Sequence, residues 1–163
     1  MKVEVTADDP YAIGPDLVAA AAGPRASELG APERAMAAAD PVAMVYGART
    51  PLAVVALELD ADGLRTGAAQ AVRACRNGRT VAWALDASLP VRVEDQVRAL
   101  AEGAVIGAYD ARRWRSGGPA RGIERFVICG AGDGLGPVGG GARTSHPAPT
   151  AGASSGEDRG VTA

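Results

Sequence analysis

Few residues in this chain are of types that could do chemistry. His146 is its only histidine and stands between Ser145 and Pro147, in a stretch of Gly, Pro, Ala, Ser and Thr. A catalytic triad needs an imidazole held in place by folded neighbours, and such surroundings do not supply them. The carboxylates are scattered: Asp60 and Asp62, Asp86, Glu94 and Asp95, and Glu102. A two-metal hydrolytic centre needs several converging carboxylates, usually with a lysine or histidine beside them. Lys2 is the only lysine. The acidic residues that open the two long helices read as caps, and Glu102, on the flank of an apolar stripe, reads as solvated or locally paired.

Three further features invite a functional reading and a plainer one. Gly134, Gly136 and Gly139 match a G-x-G-x-x-G spacing after an expected strand. That motif holds pyrophosphate only when a helix begins within it and supplies aligned N–H groups. No amphipathic helix follows and Pro137 intrudes, so the stretch reads as a flexible linker. Arg112, Arg113 and Arg115 surround Trp114, with Arg121 and Arg125 beyond. Basic residues interleaved with an aromatic can bind phosphate backbones; a solvated edge near a helix end is the favoured reading. Cys75 and Cys129 lie far apart without metal-type spacing and read as small buried hydrophobes, Cys75 on a helix and Cys129 at a strand end. No residue therefore stands out as a catalytic, cofactor-binding or metal-ligating group.

These residues need a scaffold, and the composition bounds it. The chain has 163 residues, 47% of them hydrophobic and only 4% aromatic, with a net charge of -2. That is enough for one domain, with a core of Ala and Val packed closely. Neither a nucleic-acid nor a membrane partner is forced by bulk charge. The start Met1-Lys-Val-Glu-Val is too acidic for a secretory signal. No run approaches the roughly 18 apolar residues that span a bilayer. A cytoplasmic protein is the expectation.

Hydrophobic periodicity predicts the elements. Val3 and Val5 alternate with polar neighbours in an opening strand, ended by Asp8, Asp9 and Pro10. Asp16 to Ala22 reads as a strand buried on both faces, Pro24 to Asp40 as short helix or loop, and Val42 to Tyr46 as a strand. Leu52 to Leu59 is a strand between Pro51 and Asp60. A helix capped by Asp60 or Asp62 follows, with Leu64, Ala68, Ala71, Val72 and Cys75 at helical spacing and Asn77-Gly78 as its stop. Val81, Trp83 and Leu85 mark another strand, and Ser88-Leu89-Pro90 turns the chain. Val97, Leu100, Ala101, Ala104, Val105 and Ala108 form the apolar stripe of a second helix, and Phe126 to Ile128 a last strand. The order favours an α/β sandwich with a mostly parallel or mixed sheet.

The sharpest segment is Gln96-Val-Arg-Ala-Leu-Ala-Glu-Gly-Ala-Val-Ile-Gly-Ala-Tyr-Asp-Ala-Arg-Arg-Trp-Arg-Ser116. It resembles the helix near the end of the N-terminal, non-catalytic domain of leucyl (cytosol) aminopeptidases, with Glu102, Gly103, Gly107, Ala108, Tyr109, Trp114 and Arg115 at matching positions. Gly103 and Gly107 would let the helix approach its sheet, and Tyr109 and Trp114 would cover the end of the core. The resemblance holds from about Leu52 to Gly130.

It implies a macro-domain-like mixed sheet flanked by helices over residues 1–131; composition alone, with Gly, Pro, Ala, Ser and Thr dominating and no apolar run or periodicity, predicts a disordered Gly/Pro/Ser-rich tail over 132–163. It also implies that the peptidase chemistry, with two divalent metal ions (Mn or Zn), belongs to a separate catalytic domain. An Asn-Thr-Asp-Ala-Glu-Gly-Arg motif of that domain is absent here, and the only asparagine is Asn77. The implied partner is an aminopeptidase catalytic domain or subunit. The rivals are a stand-alone ligand-binding module, since macro-like folds can hold ADP-ribose, and a DNA-binding domain resting on the arginine cluster. A truncated or frame-shifted reading of a full aminopeptidase gene is favoured over a genuine stand-alone domain. Translating the downstream DNA in the other frames tests this: an Asn-Thr-Asp-Ala-Glu-Gly-Arg-like motif is expected there, and its absence ends the frameshift account.

Overall fold

The computed structural model describes residues 1–47, 50–75, 78–109 and 122–130. The expected tail (132–163), the glycine motif, His146, Trp114, Arg112, Arg113, Arg115, Arg121 and Asn77 lie outside the described residues. The described elements run β1 (Lys2–Thr6), β2 (Leu17–Ala21), α1 (Pro24–Glu28), α2 (Glu33–Ala37), β3 (Val42–Val45), β4 (Leu52–Val55), α3 (Ala61–Ala74), β5 (Thr80–Ala84), α4 (Val93–Gly107) and β6 (Arg125–Cys129). They form a mixed α/β fold: one six-stranded sheet in the order β1-β6-β5-β2-β4-β3, flanked by helices. All neighbouring strands are parallel except β3, which pairs antiparallel with β4 at one edge. A short connection suffices there, whereas parallel strands need crossovers: α3 carries the chain from β4 past β2 to β5, and α4 carries it from β5 to its neighbour β6.

Two apolar layers follow from the period-two alternation of the strands. Leu17 and Ala19 of β2 face the side that carries α3 and α4, together with Val81, Trp83, Phe126 and Ile128. Val18 and Ala20 face the side that carries α1 and α2, together with Leu52, Val54, Val127 and Cys129. β2 and β4 are buried along their whole length. A strand covered on both faces reads as a continuous apolar run rather than an alternating one.

The expected strand over Leu52 to Leu59 is cut short at Val55. Ala22 N–H donates to the Val55 carbonyl and Ala56 N–H to that of Pro41. Both neighbouring strands are left behind at that point, so nothing remains to pair with, and Leu59 is exposed. Asp60 caps α3 as expected, its carboxylate accepting from Gly63 N–H at 2.7 Å. Asp62 pairs with Arg65 instead. Glu94 and Asp95 occupy the first turn of α4, but no side chain caps it. Cys129 is buried, Cys75 is half-buried at the end of α3, and both are free thiols.

Helix α4 is rotated from its expected orientation. Its buried positions are Gln96, Val97, Ala99, Leu100, Gly103, Ala104 and Gly107, whereas Val105 and Ile106 are exposed. The cause is the partner it packs on. Gly103 and Gly107 approach α3, not the sheet: a Cβ on Gly103 would lie 2.0 Å from the Arg65 carbonyl oxygen, and one on Gly107 2.6 Å from Ala69 Cα. Ridge-into-groove packing at this distance requires the side chain to be absent. Tyr109, expected to cover the core, is 68% exposed; the chain turns out of α4 at Ala108 and leaves the ring beyond the core's edge.

This contact makes a prediction whose sign is decisive. On helix propensity alone, Gly103→Ala would stabilise α4 by about 1 kcal/mol. With backbone so close, overpacking should win and destabilise by about 1–3 kcal/mol or more. Urea denaturation of Gly103→Ala and Gly107→Ala measures it; a raised midpoint for either would show that the two helices are not in backbone contact.

Candidate functional site

In open α/β sheets, a crevice forms outside the carboxyl ends of neighbouring strands whose following connections leave to opposite faces. Here β2 feeds α1 on one face and β5 feeds α4 on the other, and the two strands are paired neighbours. A cleft of about 400 Å³ lies at that place. Its walls are Pro24, Arg25 and Glu28 after β2, Leu85 to Ser88 and Val93 after β5, and Gly130 after β6. Gly130 sits at φ +88°, a conformation that favours glycine, and its N–H returns to the Thr6 carbonyl of β1.

The wall after β5 is the most built part. Asp86 is only 6% exposed. Its Oδ1 accepts from Ser88 N–H at 2.8 Å and Ser88 Oγ at 2.5 Å, folding the chain into an Asx-type turn. Gln96, 1% exposed, reaches back from α4. Its Nε2 donates to the backbone carbonyls of Asp86 (3.0 Å) and Val91 (2.8 Å), closing the loop from both ends. Among the described residues, Asp86 Oδ2, Gln96 Oε1 and Arg25 Nε are buried without a hydrogen-bond partner. Such groups are uncommon and each calls for an explanation. Arg25 is held by Glu28, 2.8 Å from its Nη1.

Charge around the cleft is unbalanced. Among the described residues, Asp86 and Glu28 stand in the wall against one cation, Arg25. Asp8 and Asp9 lie close enough to Cys129, next to Gly130, to act on its thiol; with burial as the larger cause, that thiol is pushed up to about 12. A thiol so far from ionising is no nucleophile at neutral pH. Ser88 has a carboxylate partner but no described imidazole or lysine to take its proton. Among the described residues, no three of His, Cys, Asp and Glu are grouped so as to hold a metal ion. The described residues therefore do not fit a two-metal centre, and the cleft can bind by hydrogen bonds and charge.

Of the acidic residues singled out in the sequence, Asp86 lies in the cleft wall and the others do not converge on it. Asp60 is a cap, and Asp62 and Glu102 both engage Arg65, Glu102 at 2.8 Å. The Arg65–Glu102 pair joins α3 to α4 beside Gly103. Arg125, from the arginine cluster, lies on β6 and bonds Glu4 of β1 at 2.9 Å. That partner and Lys2 hold the Glu4 carboxyl near 2, down from 4.5. The arginine on its own was legible, but its strand partner was not. Neither the cleft residues Arg25 and Ser88 nor Gln96, which holds the loop behind the wall, carries a sequence motif. Their only sequence signal is positional: Asp86 ends the apolar run from Val81, and Gly23-Pro24 follows the run ending at Ala22.

Comparison with known proteins gives a likeness in structure only. No family profile matches the chain, and no curated sequence does. Among solved structures, the bottromycin maturation enzyme BotP in complex with Mn is similar over 69% of this chain and 26% of its own, at 25% identity and a TM-score of 0.50. Tomato leucine aminopeptidase, as its K354E mutant, is similar over 82% of this chain and 34% of its own, at 20% identity and a TM-score of 0.61. The chain thus spans between about a quarter and a third of the length of these proteins, and the tomato likeness is one of fold.

Two predictions follow from the hydrogen bonds. Replacing Gln96 by Leu removes the donor shared by Asp86 and Val91, and should cost about 1–3 kcal/mol. It should also speed amide exchange across residues 86–91; unchanged protection there would show that the loop does not depend on Gln96. For Glu4, a carboxyl held below its ordinary value adds stability that is complete above about 4.5 and is lost as pH falls towards about 2. Glu4→Gln should therefore be less stable than the parent at pH 7, with the gap closing between those values. A gap independent of pH in that window would show that ionisation of Glu4 is not its source.

Proposed function

We propose that this chain is a non-catalytic, macro-like domain of a leucyl-aminopeptidase-type metallopeptidase. It works as structural support, in the cytoplasm, for a catalytic domain that holds two divalent metal ions. The observation that carries this reading is the agreement of two independent likenesses. The sequence of α4 and its surroundings resembles the N-terminal domain of that family. The fold resembles parts of BotP, a manganese-bound maturation enzyme, and of tomato leucine aminopeptidase. The proposed domain spans about 1–131.

The surface offered to a catalytic domain is the exposed apolar end of α4, where Val105, Ile106 and Tyr109 are 59%, 52% and 68% exposed. Three such neighbours on one helix end favour a covered state over a solvated one. No helix among the described residues is long and apolar enough to cross a membrane, so a bilayer-spanning segment there does not compete for that role. The nucleic-acid reading is weakened by Arg125, which is engaged by Glu4.

The direct test is a leucine-arylamide assay on the purified chain with added manganese. No turnover is expected; robust hydrolysis abolished by a chelator would overturn the reading. A binding test complements it. The chain, mixed with the separately expressed catalytic domain of a leucine aminopeptidase, should co-elute from a sizing column, and Ile106→Asp should abolish this. Failure of the unsubstituted chain to associate would count against the support role.

A further inference from the structure

We propose that the open edge of β3 is a dimerisation surface: two copies of this chain pair their β3 strands antiparallel about a two-fold axis at Met44, joining two sheets into one. The surface lies away from the end of α4 and does not rest on the support role.

The direction of each backbone group of β3 follows from its register. Ala56 N–H donates to the Pro41 carbonyl, its direct opposite where the β3–β4 pairing is extended by one residue. Opposed residues of an antiparallel pair alternate between bonded and unbonded. Pro41, Ala43 and Val45 therefore turn their backbone groups to β4, and Val42, Met44 and Tyr46 turn theirs away from the sheet. The other side of β4 agrees. Val18 N–H donates to the Pro51 carbonyl and Ala22 N–H to that of Val55, which leaves the groups of Leu52, Val54 and Ala56 for β3. β3 ends the strand order. Among the described residues, no backbone bond from outside the ladder reaches Val42, Met44 or Tyr46.

The two edges of the sheet differ in how they are guarded. Open edges are usually blunted by charge, proline or a bulge. β1 carries Lys2 and Glu4, paired at 3.1 Å, with Arg125 of β6 also on Glu4. From Val42 to Gly47 there is neither charge nor proline. β3 keeps an unbroken register with β4, and the Tyr46 ring stands 75% exposed just past the strand. A second copy meets all of these features. With Met44 opposite Met44 of the other copy, Val42 faces the other copy's Tyr46, and each outward N–H meets an outward carbonyl. Val42 and Met44 pack on the α3 side of the sheet, and the period-two alternation puts Tyr46 on that side too. Its ring then covers the other copy's Val42, a favourable aromatic to β-branched pair. Such an interface is isologous and closes at two copies. Like charges stay apart: Asp40, four residues from the axis, lies about 27 Å from the other copy's Asp40 at 3.4 Å per residue. One short strand from each copy buries less than the roughly 1,200 Å² at which stable interfaces begin, so the dimer is weak and fills only at high concentration.

Sedimentation equilibrium and amide exchange on the full chain, from micromolar to millimolar concentration, test this. A reversible monomer–dimer equilibrium is expected. The amides of Val42, Met44 and Tyr46 should slow as the dimer fills, while those of Ala43 and Val45 stay protected throughout. Met44→Pro removes an outward donor, a change that an edge strand tolerates. Tyr46→Lys sets a charge over the other copy's Val42. Each should weaken dimerisation about tenfold or more. Ile106→Asp, at the end of α4, should leave the dimer unchanged, so failure here and failure of the support role are told apart. A chain that stays monomeric at millimolar concentration overturns the proposal. So does a dimer whose Val42, Met44 and Tyr46 amides exchange as in the monomer, one that Ile106→Asp abolishes, or one that a folded Met44→Pro leaves unchanged. If Met44→Pro does not fold, Tyr46→Lys decides, and unchanged dimerisation there overturns it.

Discussion

The contact on which the rest of the structure depends is the backbone approach of α4 to α3. Gly103 lies against the Arg65 carbonyl and Gly107 against Ala69, with no room for a methyl group at either place. Two helices that close form one continuous layer over the sheet. The core beneath must then be built of small residues, and it is: Ala68, Ala71, Ala99 and Ala104 fill the layer around Trp83 and Phe126. Arg65 fixes the register from outside by reaching both Asp62 on its own helix and Glu102 on the other. An exposed ion pair contributes little by itself. Here it chooses among registers that the glycine contact already restricts.

That layer also determines where the cleft can be. α4 starts at Val93 because the chain leaving β5 must climb from the sheet onto the helical layer, and the segment from Asp86 to Val91 makes that climb. Gln96 is buried one turn inside α4 and holds the segment by its backbone carbonyls. A buried amide with two fixed acceptors has little rotational freedom, so the position of Asp86 is inherited from the position of α4. The chain leaving β2 departs to the other face through Gly23 and Pro24, and the cleft is the gap between the two departures. Its geometry is thus a consequence of topology, and its chemistry of the few polar residues that topology brings there.

Much of the fold was legible in the sequence, for identifiable reasons. The strands at Lys2–Thr6, Leu17–Ala21, Val42–Val45 and Arg125–Cys129 agree with their apolar patterns, as does the Asp60 cap. What failed were statements about partners. Helical spacing alone puts Val105 on the apolar stripe of α4, because spacing does not say which neighbour the helix packs on. Once α3 takes the glycine face, Val105 and Ile106 turn to solvent. Glycines signal a close approach but do not say to what. The apolar run of β4 continues to Leu59, yet a strand ends where its neighbours end, at Val55. The site was least legible. Asp86 and Gln96 meet across the short β5–α4 connection, but Arg25 lies far from both in sequence and comes beside Asp86 through the pairing of β2 with β5, which no local pattern encodes.

The cleft and the exposed apolar end of α4 lie at opposite poles of the domain. In a parallel β-α-β crossover the helix runs back against the strands, so the first turn of α4 lies at the cleft and its last turn at the other end of the sheet. With 15 residues in α4, a length of about 22 Å separates Val93 from Gly107. A catalytic domain covering Val105, Ile106 and Tyr109 would therefore leave the cleft open. Charge does not carry across such a distance at physiological ionic strength, where screening acts over about 8 Å. Coupling between an occupied cleft and a docked domain would have to pass through α4 itself. The helix is suited to that: Gln96 anchors it to the cleft loop, and Gly103 and Gly107 lock it to α3 as far as its last turn. The cleft and the exposed end of α4 are thus separate surfaces on one rigid element.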